Sequence, residues 1–460
     1  MEQVQLLILG SGTAASNAAR SAKRAGLEKV LMVHLPELIN TCVEEGCMPS
    51  KSILAGAHQH ESFTKVSETR NQHIDRLRDG LVSGFAESNL EYIVGQARFS
   101  SDTTVAISTE SSERIIEPTK IIIATGSTPF VPPIEGLSAV SEHTLLSHDV
   151  VSKKATIDKA PERLLVVGGG PIGLELSSFF HDMGSQVTVL ERGSLLPIFD
   201  PEFSEERLRA SQDKNSFPII LGESLTKVSP HENGVLCTIS SEAGEREAVF
   251  DKILIATGRK PNTDELGLEN TSLERDERGG IVHNQELQTS LPHIFIAGDV
   301  TGHHKVLHYA AKMGELAGYN AAQRTDLKSF DYDRHALFAA FDQFSSAVIG
   351  LTETEAKKRD IEVMTATRHF NSIGLGILKR QEYGLWKLVV EAESGLILGS
   401  QIVGPDSAGE LIQLFVPLLA NHNTVNDIMA MTWYHPTYAE IVYSLAKDIC
   451  AQQGIDCPGM

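Results

Sequence analysis

The chain has 460 residues, 41% hydrophobic and 22% charged, which suits a globular protein of about three domains. Sixty acidic residues against 40 basic ones give a formal charge of −20, which argues against nucleic acid or an anionic membrane as partner. Five cysteines are too few for a secreted disulfide scaffold, and the chain shows no basic leader and no apolar run of about 18 residues, so the expected location is cytoplasmic.

In chain order, the first element is Leu6-Leu-Ile-Leu-Gly10-Ser-Gly12-Thr-Ala-Ala15, an apolar strand, glycines and then a helix pattern through Arg24. This is the turn that dinucleotides use. The first glycine permits the bend and the second lets backbone approach a pyrophosphate. The third small residue brings helix against strand, with the helix N-terminus facing the anion. The following strand, Val30–His34, ends in histidine rather than the usual acid, with no carboxylate until Glu37. His34 reads either as a donor to a ribose oxygen or as a surface residue.

Next comes Thr41-Cys42-Val-Glu-Glu-Gly46-Cys47-Met-Pro-Ser-Lys51. Residues five apart in a regular helix have Cα atoms roughly 8–9 Å apart, whereas a disulfide tolerates no more than about 7 Å. The backbone must therefore leave regular helix if the bond forms, with Gly46 allowing the bend. Such a constrained ring suits a bond that opens and closes. Two free buried thiols or half a zinc site are the blander readings, but no second ligand cluster completes a zinc site.

Residues 48–89 read helical and Glu91–Ile107 strand-like. Ile121-Ile-Ile-Ala-Thr125-Gly126 is an apolar strand ending in a turn. A second fingerprint, Leu164-Leu-Val-Val-Gly168-Gly-Gly170-Pro-Ile-Gly173, then precedes a helix. Its next strand ends Val187-Thr-Val-Leu-Glu191, a carboxylate able to accept both ribose hydroxyls and to repel a 2′-phosphate, which favours NADH over NADPH. Two such units predict two nucleotide sites. Ile253-Leu-Ile-Ala-Thr-Gly258-Arg-Lys-Pro-Asn262 and Phe295-Ile-Ala-Gly298-Asp299 return to the two sheets, and Asp299 lies at a strand end, where ligands collect. His303, His304 and His308 have metal-like spacing, but no carboxylate or cysteine completes a site. Gly234–Ile239 and Lys387–Val403 alternate as antiparallel strands do. The part beyond about Asp331 carries no glycine fingerprint and reads as a packing or association domain. Near its end, Trp433-Tyr-His435-Pro436-Thr-Tyr-Ala-Glu440 predicts a helix with Pro436 in its first position and Glu440 reaching back to His435. A histidine oriented by a carboxylate is the base that thiol chemistry needs. Cys237 and Cys450 are expected to be packing residues, and Cys457 an incidental tail thiol rather than part of a C-terminal relay.

This order of motifs resembles the class I pyridine nucleotide–disulfide oxidoreductases over essentially the whole chain, most closely the dihydrolipoyl dehydrogenases. The resemblance implies an α/β fold of two Rossmann-like nucleotide-binding domains, for FAD and NAD(H), plus a C-terminal α+β dimerisation domain. The expected segments are 1–148 (FAD, first part), 149–264 (NAD), 265–332 (FAD/central, second part) and 333–460 (dimerisation). FAD contacts carry over to Gly10, Gly12, Ala15, Thr41, Lys51, Ala97, Thr125, Gly126, Asp299 and Leu307, and NAD contacts to Gly168, Gly170, Gly173, Glu191 and Gly258. The resemblance also implies that Cys42, as the more exposed sulfur, meets the substrate while Cys47 lies beside the flavin. Lys51 would stabilise charge near the flavin N5 and pair with Glu175, and His435 and Glu440 would complete the site of the other subunit of a homodimer. The His435–Pro436 peptide would be cis. The implied function is electron transfer between NAD(H) and a small dithiol or disulfide, or a lipoyl-bearing substrate, with neither nucleic acid nor membrane involved. A stand-alone NADH-dependent reductase of another oxidant, mercuric-reductase-like or glutathione-reductase-like, is the alternative; a non-enzymatic flavoprotein redox sensor is a reading of another class. The chain departs from the family at Ile39-Asn40, where two glycines are usual, and at Phe341-Asp-Gln-Phe344, which replaces Phe-Thr-x-Pro.

Overall fold

The computed structural model describes residues 2–35, 38–214, 216–323 and 325–453, which fall into two compact units. The first comprises Met1–Phe130, Ser147–Asp158 and Gly258–Asp331. Its centre is a parallel sheet in the order Glu91–Val94, Val30–His34, Glu2–Leu9, Glu113–Ile123, Ile294–Ile296. Leu6, Leu7, Ile8 and Ile121–Ile123 are fully buried, so these strands read as continuous apolar runs rather than alternating ones. The first half of Glu113–Ile123 also pairs antiparallel with Thr104–Ser108, which in turn pairs with Gln96–Ser101. Helix Thr13–Arg24 packs closely on helix Leu307–Ala322. A Cβ on Gly314 or Gly318 would stand 2.2 Å from the Ala14 or Ala18 carbonyl oxygen, so only small residues let these helices meet.

The second unit comprises Val131–Leu146, Lys159–Thr257 and Tyr332–Met460. It holds a second parallel sheet in the order Ile219–Leu221, Gln186–Glu191, Arg163–Val167, Lys252–Ile255, Thr144–Leu145, beside a three-stranded antiparallel sheet of Ser224–His231, Gly234–Ser241 and Gly244–Phe250. Its C-terminal part is a five-stranded antiparallel sheet, Leu337–Ala340, Ser346–Gly350, Ile397–Val403, Leu385–Glu391, Val363–His369. Trp386, Phe370 and Phe415 form its core with Ile441, Leu445 and Ile449 of the terminal helix. The architecture is two Rossmann-like domains plus a C-terminal α+β domain.

Within this unit two charged clusters form where the parts join, one wholly buried and one around a buried lysine. Arg207 and Asp342 meet at 2.6 Å with no exposure on either side. The Lys387 ammonium binds Asp200 at 3.0 Å, Glu202 at 2.5 Å and Glu353 at 2.6 Å. That acidic triple is the one carboxylate cluster of metal-binding compactness among the described residues, and the lysine already fills it. No described helix is long and apolar enough to cross a membrane.

Candidate functional site

The dithiol stands where two helices break. Thr41–Glu44 is one short helix and Cys47–His58 the next, so the chain leaves regular helix between the cysteines as expected. Gly46 makes that break possible, because a Cβ there would stand 2.9 Å from the Thr41 carbonyl oxygen and 3.2 Å from the Cys42 Cα. Neither cysteine is in a disulfide. The Cys42 thiol is driven far above its usual range, first by its hydrogen bond to Cys47 and then by burial. The sulfurs therefore face each other as a reduced pair. The expectation that Cys42 is the more exposed sulfur is corrected here. Cys42 is half-buried, its short helix packing on helix Cys47–His58, while Cys47 opens that second helix and is exposed.

The Ile39-Asn40 departure is locked in by neighbours that sequence reasoning did not single out. Glu44, between the two cysteines, accepts the Ile39 N–H at 2.8 Å and the Asn40 N–H at 2.9 Å, with Arg78 3.3 Å from its other oxygen. Ser11 of the first fingerprint donates to the Ile39 carbonyl at 2.7 Å, and Asn40 donates to Thr13 Oγ1 at 3.2 Å. Side chains thus tie this loop to the fingerprint turn.

The residues of the first unit fit FAD. A Cβ on Gly10 would stand 2.2 Å from the Ala124 carbonyl oxygen, whereas one on Gly12 would meet nothing within 4 Å, so Gly12 faces open space. Helices Thr13–Arg24 and Leu307–Ala322 both begin without a side-chain cap and without an acid in the first turn, leaving N–H groups for an anion or a carbonyl. Thr125 and Asn262 exchange hydrogen bonds at 2.7 and 3.0 Å across the Gly126 turn. Arg259 donates to Ser127, which donates to Asp299 at 2.6 Å, fixing the Asp299 carboxylate at its strand end. Ala97 lies opposite Ile107, against the core of this unit. Lys51 lies one turn beyond Cys47 on the same helix, with Nζ 3.4 Å from Ser50 Oγ. His34 is buried, which corrects the surface alternative, and Glu37 lies outside the described residues.

The second fingerprint repeats the geometry. Gly168 would clash with the Ala256 carbonyl oxygen if it bore a Cβ, Gly170 faces open space, and Gly173 presses on the Gly168 carbonyl. Helix Pro171–Asp182 starts there without a side-chain cap. Glu191 ends the next strand, its two oxygens held by the Gly169 N–H at 2.8 Å and the Gly193 N–H at 2.7 Å. Gly258 makes its turn in the first unit at φ 109°. Glu175, on that helix, is buried and accepts the Phe341 N–H at 3.1 Å. The Phe341–Phe344 departure is therefore built around Glu175, with Gln343 bonded to Ser178 and Asp182. Lys51 and Glu175 belong to different units.

His435 and Glu440 do come together, Nδ1 donating to a carboxylate oxygen at 2.7 Å, and the His435–Pro436 peptide is cis. The expected helix start at Pro436 is not observed. Residues 435–440 are bends and turns, with Thr437 Oγ1 donating to the Tyr434 carbonyl, and the helix begins at Ile441. The histidines at 303, 304 and 308 serve as ring contacts, His303 with His283 and His304 stacked on Tyr309 at 4.7 Å. Cys237 is buried with its thiol pushed up to about 12 by desolvation. Cys450 is buried, as expected, and disulfide-bonded; Cys457 lies outside the described residues.

Residues 4–314 match the family profile of the pyridine nucleotide-disulphide oxidoreductases, and residues 338–446 match the dimerisation domain of the same family. The chain belongs to the pyridine nucleotide–disulfide oxidoreductase family, flavoprotein oxidoreductases that use FAD and a pyridine nucleotide. It is 33% identical over 448 residues to a mercuric reductase of Staphylococcus aureus, covering 92% of this chain and 78% of the relative. It is 31% identical to a dihydrolipoyl dehydrogenase of Thermus scotoductus, covering 98% of each chain. Among solved structures it is similar to the Cu(II) complex of the HOCl-induced flavoprotein disulfide reductase RclA from Escherichia coli. The TM-score is 0.85 at 26% identity, over 97% of this chain and 99% of that one.

Proposed function

We propose that this protein passes electron pairs between NAD(H) and a small dithiol or disulfide through Cys42 and Cys47, in the manner of a dihydrolipoyl dehydrogenase. The observation that carries this reading is the facing thiol pair, held on two successive helices just after a loop bonded to the first fingerprint. Bound FAD, placed at Gly10, Gly12, Ala15, Thr41, Lys51, Ala97, Thr125, Gly126, Asp299 and Leu307, supplies the two-electron relay between nicotinamide and sulfur.

With Cys47 taken as the sulfur that FAD would cover, Cys42 is the one left for the substrate: in the oxidised pair a substrate thiol attacks Cys42, forming a mixed disulfide and releasing Cys47 as thiolate. The second substrate thiol then displaces Cys42, leaving with a disulfide of its own while the protein holds two reduced sulfurs, the state seen here. His435 takes the substrate proton on Nε2, because its Nδ1–H is committed to Glu440. In this reading His435 and Glu440 serve the active site of a second copy in a homodimer. Lys51 balances negative charge beside the flavin. Glu191 takes the NADH ribose, with Gly168, Gly170 and Gly173 shaping the nicotinamide dinucleotide site.

A second reading keeps this machinery and changes the oxidant. The identity to a mercuric reductase favours a stand-alone NADH-dependent reductase of a thiophilic metal ion or another small oxidant. Steady-state assays with NADH against lipoamide, oxidised glutathione and mercuric ion separate the two. Turnover of lipoamide at least tenfold above the others supports the first reading, and preference for mercuric ion supports the second. Anaerobic NADH titration tests the dithiol itself. A long-wavelength band at the two-electron stage is expected, and direct passage to fully reduced flavin would refute it and favour a redox sensor or a thiol-independent oxidase.

A further inference from the structure

A carboxylate beside a dithiol opposes thiolate formation, yet this chain sets two glutamates between its cysteines, Glu44 and Glu45. For Glu44 the structure supplies a use. Cys42 stands in Thr41–Glu44, a single turn closed by the Glu44 N–H to the Asn40 carbonyl at 3.0 Å and the Glu45 N–H to the Thr41 carbonyl at 2.9 Å. One turn does not persist on such bonds alone, because helix nucleation is costly. Cys47, by contrast, opens a helix of 12 residues, Cys47–His58, that packs on helix Phe63–Glu87. Gly46 stands at the joint between the two, and glycine is the residue type with the least backbone restriction. The orientation of the Cys42 turn therefore has to be set from outside the joint.

The buried Glu44 carboxylate reaches back past Cys42. One of its oxygens accepts the Ile39 N–H at 2.8 Å and the Asn40 N–H at 2.9 Å, closing residues 39–44 into a ring that contains Cys42. Its other oxygen faces Arg78 at 3.3 Å, so the ring is tied to helix Phe63–Glu87, on which the Cys47 helix also packs. Asn40 Oδ1 accepts the Val43 N–H at 3.3 Å inside the ring, while Ser11 and Thr13 hold Ile39 and Asn40 from behind. Hydrogen bonds to an ionised acceptor are the stronger kind, and without Glu44 two buried N–H groups would lose their partner. We propose that Glu44 is a positioning residue for the redox pair, clamping the turn that carries Cys42 so that its sulfur stays opposite Cys47, with Arg78 as the counter-charge. The inference rests on Cys42 and Cys47 exchanging electrons as a pair.

The clamp acts on the sulfurs through proximity. Two thiols already held face to face form their bond at a high effective concentration, whereas a loosened turn dilutes one against the other. Releasing Glu44 should therefore favour the dithiol over the disulfide.

The test is the dithiol–disulfide equilibrium of the FAD-loaded full-length protein in mixtures of reduced and oxidised dithiothreitol. It is read by alkylation and the mass of the peptide that carries both cysteines. In each exchange the S–S bond of the oxidised reagent breaks as the Cys42–Cys47 bond forms, and two electrons and two protons pass to the reagent. Glu44→Ala is expected to lower the equilibrium constant for disulfide formation about tenfold, the size of one net hydrogen bond. That shift is a potential about 30 mV less negative. Glu44→Gln keeps an acceptor oxygen for both N–H groups and should stay within about threefold of the native protein. A role in stability alone would lower the unfolding midpoint of Glu44→Ala and leave the potential of its folded, flavin-loaded fraction native; that outcome overturns the proposal. So does a shift toward the disulfide. Should Glu44→Ala not load flavin, Arg78→Gln decides. A shift of about threefold toward the dithiol supports the clamp, in line with a charged pair at a partly exposed site. An effect no larger than that of Arg76→Gln, an exposed arginine on the same helix, overturns it. Native protein whose two cysteines form no disulfide in any mixture removes the reading of the redox pair itself, an outcome distinct from equal potentials in native protein and variant.

Discussion

The imidazole of His435 is tied to Glu440 by a 2.7 Å hydrogen bond, yet the histidine is 73% exposed and the carboxylate only 18%. The acid is therefore the anchored member and the base the presented one, an arrangement that fixes which nitrogen is available without hiding it. Replacing His435 by glutamine should lower dithiol turnover by about 10²–10⁴-fold, the usual contribution of a general base. Flavin content and NADH-driven flavin reduction should stay unchanged. Rapid-mixing measurement of the two half-reactions checks this, and a defect in the NADH half-reaction would contradict the assignment.

Cys42→Ser and Cys47→Ser should each abolish turnover of disulfide or dithiol substrates, since neither half of the exchange proceeds with one sulfur. Both proteins should purify yellow. The measurement is steady-state rate per bound flavin, and full activity in either variant would refute the mechanism.

Glu191 is held by two backbone N–H groups as a carboxylate aimed from the strand end. Its charge should repel a 2′-phosphate, so kcat/KM for NADH should exceed that for NADPH. Glu191→Gln should shrink that ratio by about tenfold, consistent with loss of one charged hydrogen bond and one repulsion. Equal kcat/KM values for the two nucleotides in the native enzyme would refute the preference.

Lys387 sits 3% exposed among Asp200, Glu202 and Glu353. Burial works against its charge, but hydrogen bonds to Glu202, Glu353 and Asp200 outweigh this and push the ammonium above its usual range. Burial likewise opposes the Asp200 and Glu353 carboxylates. Hydrogen bonds from Thr354, Lys387 and Gln401 hold Asp200 below its usual range, and those from Lys357 and Lys387 do the same for Glu353. A carboxyl lowered by folding stabilises above its unfolded value, about 4, and loses that contribution as pH falls further. The raised lysine stabilises fully below about pH 10.4 and loses its contribution only as pH rises beyond. Stability should therefore decline below about pH 4, and Lys387→Met should cost about 3 kcal/mol by leaving the buried Asp200 carboxylate without a counter-charge. Denaturant unfolding of the holoprotein between pH 3 and 8, native against variant, is the check; an unchanged midpoint in Lys387→Met would refute it.

Much of the fold was legible because glycine and apolar runs act locally. Gly10 and Gly168 sit where a Cβ would strike a neighbouring strand's carbonyl, so the pattern that marks the turn is also the steric reason for it. The Cys42–Cys47 break was legible for the same reason, through Gly46. Glu44 was not, since a glutamate between two cysteines carries no sign that it will accept the Ile39 and Asn40 N–H groups. Nor did any spacing announce that Phe341–Phe344 would wrap Glu175, or that Lys387 would close an acidic cluster spread over more than 150 residues of sequence.

The amino-acid order alone determined the two nucleotide-binding folds, the closely spaced cysteines and the family, because each depends on residues close enough in the chain to constrain one another's backbone. Tertiary structure decided which sulfur is exposed, that His34 is buried, and that the His435–Glu440 pair forms without the expected helix. Those outcomes depend on burial and on hydrogen-bond partners distant in the chain, and they are set only when the elements pack.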